Sequence, residues 1–424
     1  MKNIFMLCCG LLLSATTFAD SGVNLILTKG SDKAIPIAVV PFAQSNATAN
    51  MADIISADLN WTGAFKALDP NTLPAKPHQL SDVNASVWRS TGVEDVVIGS
   101  VSADSAGQDN VHFAVVDLVK AATPVALVEQ NYHIAAGQER ALAHHIADVI
   151  FEQLTGVKGI FSTRIAYVQK VGGNNYMLLV SDADGYNPRP ILTSVEPIMS
   201  PAWSPDGKRL AYVSFEDKHA QIYVATIASG QRQKISEAPG INGAPAWSPD
   251  GRSLALVLSK SGAPKIYVLD LASGQLKQLT TGRSIDTEPN FAPDGQSILF
   301  TSDRGGSPQI YRASLAGGKI DRITFSGEYN ARASFSRDGK QIVMLHRTNG
   351  QYNIAIQNLA TGVVVVLTHS GRDDSPTFAP NGMMILYGNE YGELGLVSAD
   401  GRVKLRVPGK GGTVQDPAWS PFLS

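Results

Sequence analysis

A seven-residue string recurs in the C-terminal two-thirds of the chain. Pro-Ala-Trp-Ser-Pro-Asp-Gly occupies residues 201–207 and again residues 245–251. Its aromatic position recurs, in steps of 44, 44, 44, 43 and 41 residues, at Trp203, Trp247, Phe291, Phe335, Phe378 and Trp419. A period of this length is typical of a four-stranded β-propeller blade. The repeat therefore predicts a ring of blades rather than one ordinary hydrophobic core.

The content of one period supports this interpretation. A short strand carrying the aromatic residue leads into a Pro-Asp-Gly turn, where glycine permits a positive φ and the chain reverses. Apolar runs such as 210–213 and 222–225 follow, and a Ser-Gly turn leads to a fourth strand. Runs that are apolar throughout indicate strands buried on both faces. Each period thus supplies four strands.

The two ends of the array indicate how the ring closes. The last copy contains Trp419 but is followed by too few residues for its second strand. Residues 164–168 resemble a second strand that lacks a preceding aromatic strand. Pairing residues 418–420 with 165–168 completes a sixth blade and leaves the ring without exposed edges. We therefore predict a six-bladed propeller closed by its C-terminal strand.

The N-terminal part shows no such repeat. Strand-like segments at 35–42, 96–101, 111–119 and 125–134 are mixed with helix-like segments near 48–60, 81–91 and 138–154, the last ending at a glycine. This mixture predicts a small α/β domain. Residues 20–33 before it form an arm, either a peripheral strand or a mobile segment. The predicted organisation is a signal peptide at 1–19, the arm at 20–33, the α/β domain at 34–157 and the propeller at 158–424.

Composition restricts the function. Residues 1–19 have one lysine, an apolar run and a small-residue end, the layout of a cleaved secretory signal. Both cysteines lie within it, so neither a disulfide nor thiol chemistry is expected in the mature protein. The formal net charge is −2 without a dense basic stretch, which makes nucleic acid an improbable partner. An exported protein that stays outside the bilayer is predicted.

The familiar catalytic patterns are missing. The sequence contains no Gly-x-Ser-x-Gly nucleophile elbow and no Gly-rich phosphate motif. The repeated aromatic residues are interpreted as packing between blades, and the Asp-Gly pairs as turns, since no closing glutamate of a calcium loop follows. His144 and His145 diverge on a helix and are assigned to surface or packing roles, with no metal site. We predict that the protein is not an enzyme.

Binding residues are expected where connections enter the innermost strands, because these gather at one mouth of a propeller channel. Five carboxylates accompany one arginine there, and like charges around a channel of low dielectric attract a cation or a basic group. We predict a protein-binding mouth with the charge to hold a cation such as Ca²⁺. Its connections are Met199-Ser200, Gly243-Ala244, Thr287-Glu288, Ala331-Arg332, Asp374-Ser375 and Gln415-Asp416, beside Asp286 and Asp373.

These features together resemble the TolB family of periplasmic Tol-Pal system components. The resemblance spans the whole mature chain and is most specific at residues 36–42, 154–167, 199–207, 242–251 and 416–423. It implies a periplasmic adaptor whose propeller mouth binds the peptidoglycan-associated lipoprotein Pal and whose N-terminal segment binds TolA. It also implies a role in outer-membrane integrity and in constriction during cell division, and capture by some colicins.

The resemblance transfers partner contacts to individual residues. Thr287 matches a family interface threonine, whereas Ile241 stands where the family can carry a histidine. The combined Pal-binding set is Met199, Ser200, Ile241, Asn242, Asp286, Thr287, Glu288, Ala331, Arg332, Asp373, Asp374 and Asp416. The TolA-binding set is Asp20, Ser21, Gly22, Val23, Asn24, Leu25, Ile26 and Leu27. The alternative is a periplasmic propeller hydrolase or sugar-binding protein, which would need a polar catalytic cluster in the channel.

Overall fold

The computed structural model describes residues 26–29, 34–44, 50–119, 123–407 and 411–423. The predicted signal peptide and the arm residues Asp20 to Leu25 lie outside these ranges. No helix in the described part of the chain combines the length and the apolar character needed to cross a membrane.

A mixed sheet flanked by helices forms the N-terminal unit. After β1 (Ile26–Lys29), its elements are β2 (Ile35–Val39), β3 (Ala43–Gln44), α1 (Met51–Trp61), β4 (Phe65–Ala67), α2 (Ala85–Trp88), β5 (Asp95–Ala103), β6 (Gln108–Asp117), β7 (Val125–Ala135) and α3 (Glu139–Thr155). The strand order is β4-β2-β5-β6-β7, with β3 beside β5. Strand β2 runs parallel to β4 and β5, whereas β5, β6 and β7 pair antiparallel. Short 3₁₀ turns occur at Pro70–Thr72, Leu80–Asp82 and Arg89–Thr91.

Both faces of this sheet are covered. Alternate residues of β2 point to opposite sides, so Ile37 joins the core under α1 and α3, while Ala38 joins a second core around Trp88. The predicted helix near 138–154 is confirmed as α3, and its glycine end is Gly156, whose φ is 73° and whose N–H bonds Glu152 O. The segment predicted as a helix near 81–91 is mostly 3₁₀ turns around the four-residue α2.

The rest of the described chain forms six four-stranded blades, which confirms the predicted propeller. Its strands in chain order are β8 (Arg164–Lys170), β9 (Tyr176–Asp182), β10 (Arg189–Ser194), β11 (Ile198–Trp203), β12 (Arg209–Ser214), β13 (Gln221–Thr226), β14 (Arg232–Ser236), β15 (Asn242–Trp247), β16 (Ser253–Leu258), β17 (Lys265–Asp270), β18 (Leu276–Gln278), β19 (Asp286–Phe291), β20 (Ser297–Ser302), β21 (Gln309–Ser314), β22 (Ile320–Arg322), β23 (Tyr329–Phe335), β24 (Gln341–Thr348), β25 (Gln351–Asn358), β26 (Val364–Val366), β27 (Asp374–Phe378), β28 (Met384–Gly388), β29 (Leu394–Ser398), β30 (Lys404–Val407) and β31 (Thr413–Trp419). Blades 1 to 5 take their four strands in order from β11 to β30.

Blade 6 is shared between the two ends of the array. Strand β31 pairs antiparallel with β8, with Ala418 opposite Ala166 and Trp419 opposite Ile165. The backbone N–H of Ser420 also bonds Arg164 O at 2.8 Å. The predicted closure by the C-terminal strand is therefore confirmed, and it removes the sheet edge that an open array would expose.

The repeated aromatic residues connect neighbouring blades. The indole N–H of Trp247 donates to Ala202 O, and that of Trp203 donates to Ala418 O, each at 3.1 Å. Trp419 donates to Thr163 Oγ1 at 2.8 Å. These rings are largely buried, which is the packing role predicted for them. In the turn that follows, Asp206 accepts from the N–H of Lys208 and holds the chain reversal.

The N-terminal unit and the propeller share one hydrophobic core. Phe161, in the connection after α3, packs edge-on against Trp61 and Phe151, with ring centroids 5.5 Å and 5.7 Å apart. Asp148 of α3 accepts the backbone N–H of Phe161 at 2.7 Å. On the other side, β1 adds to the edge of blade 5, with Leu27 opposite Leu405 of β30. For residues 26–29 the arm is therefore a peripheral strand.

Candidate functional site

A ring of strained backbone positions surrounds one mouth of the channel. Nine non-glycine residues in the described chain have positive φ, and six of them occupy the same place in the six innermost strands. They are Ser200 (52°), Ala244 (40°), Glu288 (54°), Arg332 (53°), Ser375 (52°) and Asp416 (49°). We call them the mouth ring. Such a conformation costs roughly 1–3 kcal/mol per residue, so its repetition in every blade indicates a functional or architectural requirement.

Each ring residue sits in a β-bulge. The pairing of every innermost strand with the next strand shifts register at this point. Proline follows the ring residue in five blades, and alanine follows it in blade 4. Because proline has no N–H, the interrupted ladder leaves no donor unsatisfied there. The bulge re-aims the ring side chain, and all six residues line a channel cavity of about 420 Å³.

Arg332 is the electrostatic centre of the mouth ring. Its Nε lies 3.2 Å from Glu288 Oε1 and 3.5 Å from Asp374 Oδ1, and its Nη1 lies 2.9 Å from Asp416 Oδ1. Nη1 also donates to Ser375 Oγ. Burial alone would lower the pKa of Arg332, but the carboxylates of Asp416, Glu288 and Asp374 raise it above its ordinary value. The guanidinium stays charged and is held in one place.

The carboxylates of the mouth are fixed as well. Glu288 Oε2 accepts from Thr301 Oγ1 at 2.7 Å and from the backbone N–H of Arg332 at 2.9 Å. Asp416 Oδ2 accepts the backbone N–H of Ser200 at 3.0 Å. Ca²⁺ needs six to eight oxygen ligands, and Arg332 lies among the oxygens that would supply them. The residues do not fit a Ca²⁺ site in this arrangement.

Two of the five predicted carboxylates point away from the mouth. Asp286 is fully buried and pairs with Lys265 Nζ at 3.2 Å and Arg304 Nη2 at 2.9 Å. Burial would raise the pKa of Asp286, but hydrogen bonds from Ser302 and Arg304 lower it below its usual range. Burial raises the pKa of Asp373, which lies beneath the surface of blade 5.

Two further predicted residues are also internal. Ala331 is buried, and Asn242 braces its own loop by accepting from Ser236 Oγ at 2.7 Å and donating to Ala238 O at 2.6 Å. Ala331 lies one residue before the mouth ring, whereas Asn242 belongs to a buried position that recurs two residues before the ring in every blade. The set there is Ile198, Asn242, Asp286, Asn330, Asp373 and Val414, all buried.

The rim around the mouth ring is apolar on one side. Met199 and Ile241 are exposed, Thr287 is half-buried, and Ile285 is 50% exposed. Ile285 was not predicted, although it lies one 44-residue step after Ile241. The mouth thus combines a charged centre from blades 3 to 6 with exposed aliphatic side chains from blades 1 to 3.

Comparisons of both parts of the chain with known proteins point to the same family. A family model described as the TolB beta propeller domain matches residues 151–423, and one described as the TolB amino-terminal domain matches residues 23–124. The Tol-Pal system protein TolB of Coxiella burnetii is 57% identical over 413 residues, covering 95% of this chain and 94% of that relative. The Legionella pneumophila protein of the same description is 57% identical over 408 residues, covering 95% and 96%.

A solved structure matches at the level of the whole fold. The crystal structure of TolB from Acinetobacter baumannii superposes with a TM-score of 0.88 at 40% sequence identity, covering 94% of this chain and all of that one. The chain belongs to the TolB family of Tol-Pal system proteins.

Proposed function

We propose that this protein is a non-enzymatic adaptor of the Tol-Pal system in the periplasm. Its propeller mouth binds Pal, and its N-terminal segment binds TolA. Through these contacts it supports outer-membrane integrity and constriction during cell division. Family membership supports the assignment to the Tol-Pal system. The observation that carries the binding role is the clamped guanidinium of Arg332 inside an apolar-rimmed mouth.

The chemistry of the mouth suits a protein partner. Arginine and methionine are enriched at protein interfaces, and a central arginine is a frequent contributor of binding energy. Arg332 is already held by three carboxylates, so binding does not have to immobilise it. Three carboxylates against one guanidinium leave excess negative charge at the centre. A partner segment that brings a basic or hydrogen-bond-donor group to the centre and apolar groups to Met199 and Ile241 would complement both parts.

The N-terminal contact is supported by a different observation. Of the proposed TolA-binding residues, Ile26 and Leu27 lie in the described structure, where β1 extends blade 5 through backbone pairing with β30. Residues 20–25 precede this strand. Strand β1 thus pairs at the outer edge of blade 5, away from the innermost strands that carry the mouth ring, which is the arrangement expected of an adaptor with two separate contacts.

The Pal contact is tested by isothermal titration of the mature protein, from Asp20 onward, with soluble Pal from the same source. A Glu288/Arg332/Asp374 triple alanine variant is expected to lose binding. The matched control replaces the exposed outer pair Lys319 and Asp321 with alanine and is expected to bind like the wild type. Wild-type protein that does not bind Pal would refute the proposed contact.

A second variant separates binding from folding. Ile241→Asp changes an exposed side chain and leaves the hydrogen bond from its backbone N–H to Ser259 Oγ in place. It is expected to keep the melting temperature of the wild type. Its affinity for Pal should fall at least about tenfold, since a charge is placed in an apolar contact. If the affinity for Pal were unchanged, Ile241 and the apolar rim would not be part of the Pal interface.

The TolA contact is tested by shortening the mature protein so that it begins at Thr28. This variant is expected to lose TolA binding and to retain Pal binding. The reason is that the mouth ring lies on the innermost strands rather than at the outer edge of blade 5, where β1 pairs. Retained TolA binding would refute the N-terminal assignment. Turnover of any member of a hydrolase-substrate panel by the purified protein would favour the hydrolase alternative instead.

A further inference from the structure

A second polar site lies between the N-terminal unit and blade 6. A cleft of about 950 Å³ opens there between α1, α3 and the turn that joins β9 to β10. Its lining includes Arg140, His144, Asp182 and Tyr186. These residues come from elements far apart in sequence. None of them belongs to the propeller mouth described above.

His144 is held in a fixed orientation at the base of this cleft. Its Nδ1 lies 2.6 Å from Asp58 Oδ2, and the two side chains are only 5% and 2% exposed. Asp58 is itself oriented by the indole N–H of Trp61 at 3.4 Å. The Nε2 atom of His144 is buried and has no hydrogen-bond partner among the described residues. Buried ring nitrogens are normally satisfied, so this one requires an explanation.

Two carboxylates converge on this histidine. A ring nitrogen of His144 and one oxygen each from Asp182 and Asp184 lie within 4.8 Å of one another. Nδ1 is engaged by Asp58, so Nε2 is the nitrogen left to coordinate a metal ion. A histidine whose other nitrogen donates to a carboxylate is the usual arrangement of a metal-binding histidine. One imidazole and two carboxylates suit Zn²⁺ or a similar divalent ion.

The charge of the cluster favours a divalent cation. Asp58, Asp182 and Asp184 face the single guanidinium of Arg140, whose Nε lies 3.4 Å from Asp182 Oδ2 and whose Nη2 donates to Asp184 Oδ2. With a neutral His144, two negative charges remain, which one divalent ion would balance. Arg140 also stacks over the ring of Tyr186 at 3.9 Å, so part of its stabilisation does not depend on the carboxylates.

We propose that His144, Asp182 and Asp184 form a binding site for a divalent transition-metal ion, with Zn²⁺ as the best-suited ion. Asp58 positions His144, and water from the cleft completes the coordination. Arg140 competes with the ion for both carboxylates and thereby sets the affinity. Since His144 belongs to α3 and the carboxylates belong to the β9 end of blade 6, a bound ion would join the N-terminal unit to the propeller.

The test uses tag-free mature protein, stripped with a chelator and titrated with ZnCl₂ by calorimetry. One Zn²⁺ per chain is expected. Asp182→Asn and His144→Gln should each weaken binding by at least about 100-fold, and Asp58→Asn by about 10–100-fold. Arg140→Gln should tighten binding, because it removes the competing cation. His145→Gln is the matched control, since this adjacent histidine is exposed, and it should bind like the wild type.

A purely structural cluster would not show this pattern of opposite effects. Co²⁺ provides an independent readout, because its visible absorption should appear in the wild type and in Arg140→Gln and be lost in Asp182→Asn. Asp182 is partly exposed at the cleft, so its asparagine variant is expected to fold even if the buried His144 variant does not. Absence of saturable Zn²⁺ binding, wild-type affinity in Asp182→Asn, or unchanged or weaker affinity in Arg140→Gln would overturn the proposal.

Discussion

The side chain of Arg332 reaches across the propeller mouth to Asp416, with Nη1 2.9 Å from Oδ1. The two residues are 84 positions apart and belong to blades 4 and 6. Both have positive φ, so the backbone of each blade is bent in order to bring these side chains into the channel. The contact therefore couples the conformation of two blades to the charge arrangement that a partner would meet.

Replacing Arg332 with alanine is expected to lower the free energy of unfolding by about 1–2 kcal/mol, a modest value because the site is partly exposed. The reason is that Glu288, Asp374 and Asp416 then repel one another without a counter-charge. Added salt should recover most of the loss, since the Debye length falls to about 3 Å at 1 M. Urea unfolding at low and high NaCl measures both effects.

The control for this prediction is Lys319→Ala, which removes the cation of an exposed pair on the outer strand of blade 3. Its stability should match the wild type within about 0.5 kcal/mol at either salt concentration. A salt-independent loss in Arg332→Ala would mean that packing, rather than repulsion among the carboxylates, explains the effect.

Much of the fold could be predicted from the sequence because the determining interactions are local or periodic. The aromatic step, the Pro-Asp-Gly turn and the apolar second strand repeat in register, and the incomplete copies at 164–168 and 418–420 have only each other to pair with. The segment at 81–91 was less predictable. Its apolar residues Val83 and Trp88 are placed by the sheet against which they pack rather than by helical periodicity.

The candidate sites were predicted only in part. Asp373 and Asp374 are adjacent in sequence, yet Asp373 is buried just before β27, whereas Asp374 is the first residue of that strand and its Oδ1 lies 3.5 Å from Arg332 Nε at the mouth. Connection position alone cannot decide which carboxylate turns inward. The cluster of His144 with Asp58, Asp182 and Asp184 was missed for a different reason, since its members come from separate elements and have no sequence spacing in common.

Strain at the mouth ring can be measured at Ala244, which has the smallest side chain of the ring and a φ of 40°. Ala244→Gly is expected to raise the free energy of unfolding by up to about 1 kcal/mol, because glycine adopts positive φ without steric cost. Ala244→Val should lower it by at least about 1 kcal/mol, since β-branched residues are disfavoured there. Urea unfolding distinguishes the two directions. A glycine variant less stable than the wild type would show that this backbone position is not strained.

The buried pair of Asp286 and Lys265 should give the stability a specific pH dependence. The folded-state pKa of Asp286 is below its unfolded value, so its contribution is present at neutral pH and lost as the pH falls through the folded pKa. Asp286→Asn leaves the buried Lys265 without its carboxylate and should cost about 3–5 kcal/mol at pH 7. This difference from the wild type should shrink below about pH 4, because protonation then removes the same charge from the wild type.

Urea unfolding of both proteins between pH 3 and pH 7 tests this. Asp321→Asn serves as the control, since Asp321 lies in an exposed ion pair and its loss should cost less than about 0.5 kcal/mol throughout. If the penalty of Asp286→Asn stayed constant over the whole range, the ionised carboxylate would not be its source. Asp286 is thus expected to affect Pal binding only through folding, unlike Arg332.

A side-chain contact joins Trp419 in the last strand to Thr163 just before β8, where the indole N–H donates to Oγ1 at 2.8 Å across the closure of the ring. Thr163→Val leaves this buried donor without an acceptor and should cost about 1–3 kcal/mol. Trp419→Phe removes the donor as well as some packing area. The double variant has neither the donor nor the acceptor, so no buried polar group is left unpaired. Its loss in free energy of unfolding should therefore be smaller than the sum of the two single losses by about 1 kcal/mol. Thr163 Oγ1 also donates to Ile160 O, and the double-mutant cycle cancels that common term. Strict additivity would mean that backbone pairing of β31 with β8 closes the propeller without help from this hydrogen bond.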